Sequence, residues 1–99
     1  MSVTVRDLVL NDLDALTAVS KSVWEEDYAP VEFESWLDDP LWHPVGVFLD
    51  ETLVSFGALQ QIEGTPFGWV KALRTDANHH RKGYGLMVVQ RMVDIAREI

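Results

Sequence analysis

The sequence contains no cysteine, which excludes a disulfide framework and any cysteine-ligated metal site and fits a reducing compartment. It has no apolar run as long as a membrane-spanning helix requires. Its first residues do not show the basic and then apolar order of a secretory signal peptide. Internal repeats, low-complexity tracts and linkers are absent too. We therefore expect residues 1–99 to form a single domain in the cytoplasm, without membrane contact.

Basic residues are scarce in the first part of the chain. Residues 1–63 contain 13 acidic and two basic residues, whereas residues 64–99 contain three acidic and six basic residues. An acidic body argues against nucleic acid as a partner, because nucleic acid needs a basic footprint. The basic last part is suited to a small polyanion, and a contribution to solubility alone is the alternative interpretation.

The chain is nevertheless rich in apolar and aromatic side chains, with 47% apolar residues, four Trp, four Phe and two Tyr. This composition predicts a packed globule. Hydrophobic periodicity predicts the order β-α-α-β-β-β-α, a mixed α/β (α+β) fold with a mostly antiparallel sheet and helices on its faces. We expect strands at 3–10, 45–49, 53–62 and 67–75, a helix capped by Asn11 and ending near Trp24, and further helices at 31–37 and 85–99.

The segment 75–86 joins the fourth predicted strand to the last helix through Gly83 and Gly85. A helix N-terminus presents unpaired N–H groups and partial positive charge, and glycine lets a phosphate approach that backbone. Arg81 and Lys82 add formal charge, so the segment predicts an anion site suited to a pyrophosphate. The alternative is a tightly turned helix start with a solvated basic pair. The loop alone favours the anion site and this alternative equally.

Two common nucleotide-binding motifs do not match this loop. It contains no GxxxxGK[ST], and Val88 stands where the motif G-x-G-x-x-G has its third glycine. Residues 73–85 (LRTDANHHRKGYG) instead resemble motif A of the GCN5-related N-acetyltransferase family: a strand, a short loop, [Q/R]-x-x-G-x-[G/A] and a helix. The element order is also that family's order, so the resemblance extends from Thr4 to Ile99. His80 occupies the place that is usually Gln or Arg.

The resemblance implies a binding site for acetyl-CoA. The backbone of Leu73, Arg74 and Thr75 would pair with the pantetheine arm. The pyrophosphate would be held by the loop and the first helical turn: His80, Arg81, Lys82, Gly83, Tyr84, Gly85 and Leu86. In this family the acetyl group passes directly to an amine, which must be neutral to attack, and a base or ordered water takes its proton. Backbone N–H groups stabilise the developing oxyanion.

The same resemblance places residues 25–28 between two helices that line the site of the acceptor amine. Glu26, Tyr28 and, on the fourth strand, Trp69 are the candidates for contact with that amine. For any single acidic residue here, including Glu25 and Asp27, a solvated surface loop is the favoured alternative. For Trp69, packing in the core is favoured.

Other aromatic and histidine residues receive structural interpretations. Trp24 and Trp36 are expected to pack the helices on the sheet, and His43 is expected in a loop. His79 and His80 are adjacent, so their side chains point apart and suit one metal ion poorly. We expect no metal cofactor.

Two functions agree with these patterns: an acetyl-CoA-dependent N-acetyltransferase acting on a small-molecule or peptide amine, and a non-catalytic CoA-binding half domain or fragment that needs a partner chain. In the family, a fifth strand, a fourth helix with a thiolate-protonating Tyr and a final hairpin follow motif A, and none of them follows Ile99 here. We therefore expect little turnover by the 99-residue chain and a possible homodimer through the free edge of the fourth strand.

Overall fold

Strands and helices follow one another in the order that the sequence predicts. The computed structural model of the chain describes residues 2–24 and 26–99 and has these elements: β1 (Val3–Asp7), α1 (Leu13–Val23), α2 (Ala29–Asp38), β2 (Trp42–Leu49), β3 (Thr52–Gln61), β4 (Gly68–Thr75) and α3 (Tyr84–Glu98). Single turns of 3-10 helix, Leu10–Asp12 and Ala77–His79, lie before α1 and between β4 and α3. The expected fold class is confirmed. No helix in the described residues is long and apolar enough to cross a membrane.

The four strands form one antiparallel sheet in the order β1-β2-β3-β4. The pairing of β3 with β4 shifts register between Phe56 and Ala58, because Phe56 faces Arg74 whereas Ala58 faces Lys71. Gly57 therefore stands opposite two residues of β4, which is a β-bulge. Directly paired residues share a face of the sheet, so the bulge puts Arg74 on the same face as Lys71.

Each face of the sheet carries its own hydrophobic cluster. Helices α1 and α2 cover one face, where the buried side chains include Leu16, Phe33, Trp36, Phe56 and Ala72. Helix α3 covers the other face. Its buried residues, which its apolar periodicity predicts, are Val88, Met92 and Ile95, and they form one cluster with Val45, Val47 and Leu59 of β2 and β3. The sheet thus fixes the N-terminus of α3 next to the end of β4.

Two local predictions are wrong, and long-range contacts explain both. Asn11 does not cap α1, because the chain first makes a 3-10 turn in which the Asp12 carboxylate accepts hydrogen bonds from Val9 N at 2.8 Å and from Arg6 of β1 at 2.9 Å. His43 does not lie in a loop. It belongs to β2, where it pairs with β3, and its Nε2 lies 2.7 Å from Oε1 of Gln61.

Strand β4 forms one edge of the described sheet, and several apolar side chains on it or directly before it are exposed: Phe67, Trp69, Val70 and Leu73. We propose that residues 68–71 of this edge pair with a second copy of the chain, and the prediction is a dimer at micromolar concentration in light scattering. Val70→Lys should shift the mass to that of a monomer, because a charged side chain on an edge strand opposes pairing.

The matched control is Val31→Lys on α2, where Val31 is 83% exposed on a different surface. It should leave the dimer intact. A monomeric wild-type chain, or equal dissociation by both variants, would contradict pairing through β4.

Candidate functional site

The N-terminus of α3 opens into a depression of about 460 Å³ at the end of β4. Gly83 precedes the helix with a φ of 83°, in the left-handed region that favours glycine. Met87 N donates to Gly83 O at 3.1 Å, so the N–H groups of Tyr84, Gly85 and Leu86 have no acceptor within the helix. These N–H groups and the helix dipole favour an anion in the depression.

Gly85 lies in the first turn, beside the end of β4. A Cβ at this position would lie 3.4 Å from Thr75 Oγ1 and near no other atom of the surroundings. Thr75 is itself held by Ser55, whose Oγ lies 3.0 Å from Thr75 Oγ1 and donates to the Arg74 carbonyl at 3.0 Å. The fold thus tolerates a side chain at position 85, but that side chain would enter the open depression.

Basic residues border the helix start. Arg81 is exposed and has a φ of 64°, a left-handed conformation that costs a non-glycine residue about 1 kcal/mol or more. His80 Nε2 lies 2.8 Å from the Thr75 carbonyl. Because a carbonyl only accepts, Nε2 carries a hydrogen, and neutral His80 has only an acceptor left at Nδ1. The neutral ring of His80 therefore has no second N–H to donate.

His79 also lines the depression, although the sequence did not predict it as a site residue. Its Nδ1 lies 2.7 Å from Oδ2 of Asp76, and its ring is tilted against that of Tyr84 at 6.2 Å between centroids. The hydrogen bond from His79 lowers the pKa of Asp76 despite partial burial, and a bond from Asn78 N adds to the effect. Within residues 2–24 and 26–99, no group of three His, Asp or Glu side chains is placed to hold a metal ion.

A buried ion pair lies on the opposite face of β4. The Asp27 carboxylate, whose side chain is 2% exposed, accepts from Arg74 Nε at 2.9 Å and from Arg74 Nη2 at 3.2 Å. It also accepts from Ser20 Oγ at 2.8 Å and Ala29 N at 3.1 Å. Burial opposes ionisation of Asp27, but these hydrogen bonds and the charge of Arg74 outweigh it and lower its pKa. Its four hydrogen bonds connect α1, α2 and β4.

Eight of the ten residues predicted to hold the cosubstrate line the depression: Leu73, Thr75, His80, Arg81, Gly83, Tyr84, Gly85 and Leu86. The other two do not line it. Arg74 points to Asp27 on the other face of the sheet, and Lys82 is exposed. The roles of all ten residues in binding stay predictions.

The residues predicted for the amine do not line this depression. Glu26 is exposed, and the Tyr28 ring lies 5.6 Å from the Arg74 guanidinium. Trp69 is 56% exposed beside Lys71, so its expected core packing is wrong. Glu25 lies outside the described residues.

The two helix tryptophans have different environments. Trp24 is 55% exposed and lies 5.5 Å from the Arg74 guanidinium, so its packing on the sheet is also wrong. Trp36 is buried and stacks on Trp42 at 5.1 Å, as a core residue should. The sequence missed the role of Asp27, because the ion pair that distinguishes it from exposed Glu26 joins it to Arg74, 47 residues away.

Comparison with known proteins points to one family. Residues 10–99 match the family described as "Acetyltransferase (GNAT) family". Sequence comparison with curated proteins gives no match.

Three solved structures illustrate the similarity of fold. The ribosomal-protein-S18-alanine N-acetyltransferase from Escherichia coli has a TM-score of 0.83 at 14% identity, over 98% of this chain and 61% of the enzyme. The PaiA N-acetyltransferase from Thermoplasma acidophilum in complex with coenzyme A has a TM-score of 0.79 at 23% identity, over 99% and 74%. An aminoglycoside 6'-N-acetyltransferase complexed with coenzyme A has a TM-score of 0.82 at 16% identity, over 96% and 56%. At these identities the similarity establishes the fold alone.

The buried ion pair predicts how stability depends on pH. Asp27→Asn should lower the free energy of unfolding at pH 7 by about 3 kcal/mol, because Arg74 would lose its charged partner. A carboxyl with a lowered pKa stabilises the fold fully above the pKa of an unfolded Asp, about 4, and this contribution is lost as pH falls through the lower folded pKa. The difference in the free energy of unfolding between wild type and Asp27→Asn, measured by urea unfolding, should therefore become smaller below about pH 4.

Asp14→Asn, on the exposed face of α1, serves as the control and should change stability little at either pH. A difference for Asp27→Asn that stays constant down to pH 2 would show that the carboxylate is not the stabilising species.

Proposed function

Because this chain belongs to the acetyltransferase (GNAT) family, we propose that it binds acetyl-CoA and transfers its acetyl group to an amine. One observation carries the proposal: the start of α3, where the N–H groups of residues 84–86, the left-handed Gly83 and the exposed Arg81 meet at one depression. Such a backbone site suits phosphate groups, and a diphosphate is one ligand that fits it. The coenzyme A complexes of two proteins with this fold support the choice of ligand.

The residues around the depression fit the chemistry of this cosubstrate. A Cβ at Gly83 would meet no atom within 4 Å, and one at Gly85 would meet only Thr75, so the space for phosphate oxygens is open. Arg81 would neutralise part of the diphosphate charge. Leu73 and Thr75 line the same depression from β4, where the edge of the strand offers backbone groups to the pantetheine arm.

The proposed reaction replaces a thioester by an amide. The neutral amine nitrogen attacks the thioester carbonyl carbon, the C–N bond forms and the C–S bond breaks. The amine proton passes to a base or to water, and the departing thiolate is protonated. On the acceptor side, the carboxylate of Glu26 and the exposed rings of Trp24 and Tyr28 would attract a cationic amine before it is deprotonated.

The diphosphate site is tested by Gly85→Asp. This substitution should raise the Kd for coenzyme A in calorimetry at least about tenfold, because a carboxylate would occupy and repel the anion site. Circular dichroism should be unchanged, since the backbone at position 85 tolerates a Cβ.

Val31→Asp on α2 adds the same charge at an exposed and distant position, so it should bind coenzyme A as the wild type does. Equal affinity of Gly85→Asp and wild type would remove the start of α3 from the binding site.

A thiol-release assay with acetyl-CoA and a panel of amines separates the enzyme from a binding module. Release above the background without amine would support acetyl transfer. Binding of coenzyme A without release would instead support the second function expected from the sequence, a non-catalytic CoA-binding half domain.

A further inference from the structure

The bulge in β4 is a strained feature beside the depression. Ala72 has a φ of 53°, and such a left-handed conformation persists in a non-glycine residue only when its surroundings hold it. On one face, the Ala72 side chain is buried in the cluster of α1 and α2. On the other face, Leu73 lies so close to Gly57 that a Cβ there would be 3.3 Å from Leu73 Cδ1. Packing therefore holds Ala72 in its conformation, while Leu73, which is 38% exposed, lies against Gly57 on the other face.

The peptide that follows the bulge is fixed by a side chain. Arg74 Nη1 donates to the Leu73 carbonyl at 3.1 Å, while Arg74 Nε and Nη2 donate to Asp27. Asp27 cannot move easily, because Ser20 and Ala29 N hold the same carboxylate. The orientation of the Leu73–Arg74 peptide thus depends on an anchor between α1 and α2.

We propose that Asp27 and Arg74 are positioning residues for acetyl-CoA, which orient the backbone of β4 at residues 73–75 so that it receives the pantetheine arm. This inference rests on the proposed function. The two side chains act through the backbone, because Leu73 and Thr75 line the depression whereas Arg74 extends from the other face of the sheet.

Two parts of the ligand would bind at two different places. The diphosphate is assigned to the start of α3. Among the described residues, no hydrogen bond joins the start of α3 to Asp27 or to the Arg74 side chain. The pantetheine arm is assigned to β4. Loss of the ion pair should therefore weaken binding of the arm and leave binding of the diphosphate unchanged.

The experiment compares acetyl-CoA with ADP, which carries the diphosphate without the arm, by calorimetry at a temperature where every variant is folded. In Asp27→Asn and Arg74→Lys, affinity for acetyl-CoA should fall about tenfold, equivalent to about 1.4 kcal/mol, and affinity for ADP should change less than about twofold. Arg74→Lys keeps the positive charge but loses the planar guanidinium that bonds Leu73 O and Asp27 together.

The control is Asp12→Asn, which breaks the other bidentate Arg–Asp pair of the described residues, the one between Arg6 and Asp12. Asp12→Asn should lower the free energy of unfolding but leave the ratio of the affinity for acetyl-CoA to the affinity for ADP unchanged. If Asp27→Asn or Arg74→Lys does not fold, Ser20→Ala removes one hydrogen bond from Asp27 and should change the ratio in the same direction, by a smaller factor.

The outcomes distinguish this proposal from the proposed function. A wild-type chain that does not bind acetyl-CoA would overturn the proposed function and this inference with it. If the wild type binds but the variants lose affinity for both ligands in proportion, or for neither, then the ion pair is only structural and the positioning role is wrong.

Discussion

The buried ion pair between Asp27 and Arg74 is the interaction on which the geometry of the site depends. An unpaired carboxylate with a side chain 2% exposed would be strongly unfavourable, so the segment between α1 and α2 can take this path only where a cation meets it. Arg74 is that cation because the bulge opposite Gly57 puts its side chain on the face of the sheet covered by α1 and α2. The bulge and the path of the segment are therefore mutually dependent.

The second constraint is the close approach of α3 to the end of β4. Its buried residues Val88, Met92 and Ile95 fix the helix on the sheet, and the left-handed Gly83 turns the chain into its first turn. The N–H groups of that turn are consequently directed at the space beside Leu73 and Thr75. The proposed anion site and the edge of β4 lie next to each other for this reason, as a phosphate-bearing thioester would require.

The sequence predicts the elements well because their signals are local. Apolar spacing in α3 and alternation in β2 and β3 are visible in short windows, and the glycine pair marks the start of α3. The errors come from residues whose partners are distant in sequence. Asp12 replaces Asn11 at the start of α1 because Arg6 binds it. Asp27 pairs with Arg74, 47 residues away, whereas its neighbour Glu26 is exposed. Nothing in the sequence indicates the left-handed conformation of Ala72, because glycine is the residue expected at a positive φ.

The start of α3 is assigned to the diphosphate of acetyl-CoA, and every role proposed for the site depends on that assignment. Amide chemical shifts recorded during a titration with coenzyme A measure this contact residue by residue. The largest changes should occur at Gly83, Tyr84, Gly85 and Leu86, with further changes along β4 at Leu73 and Thr75. A titration in which these amides do not shift, while those of another surface do, would contradict the account.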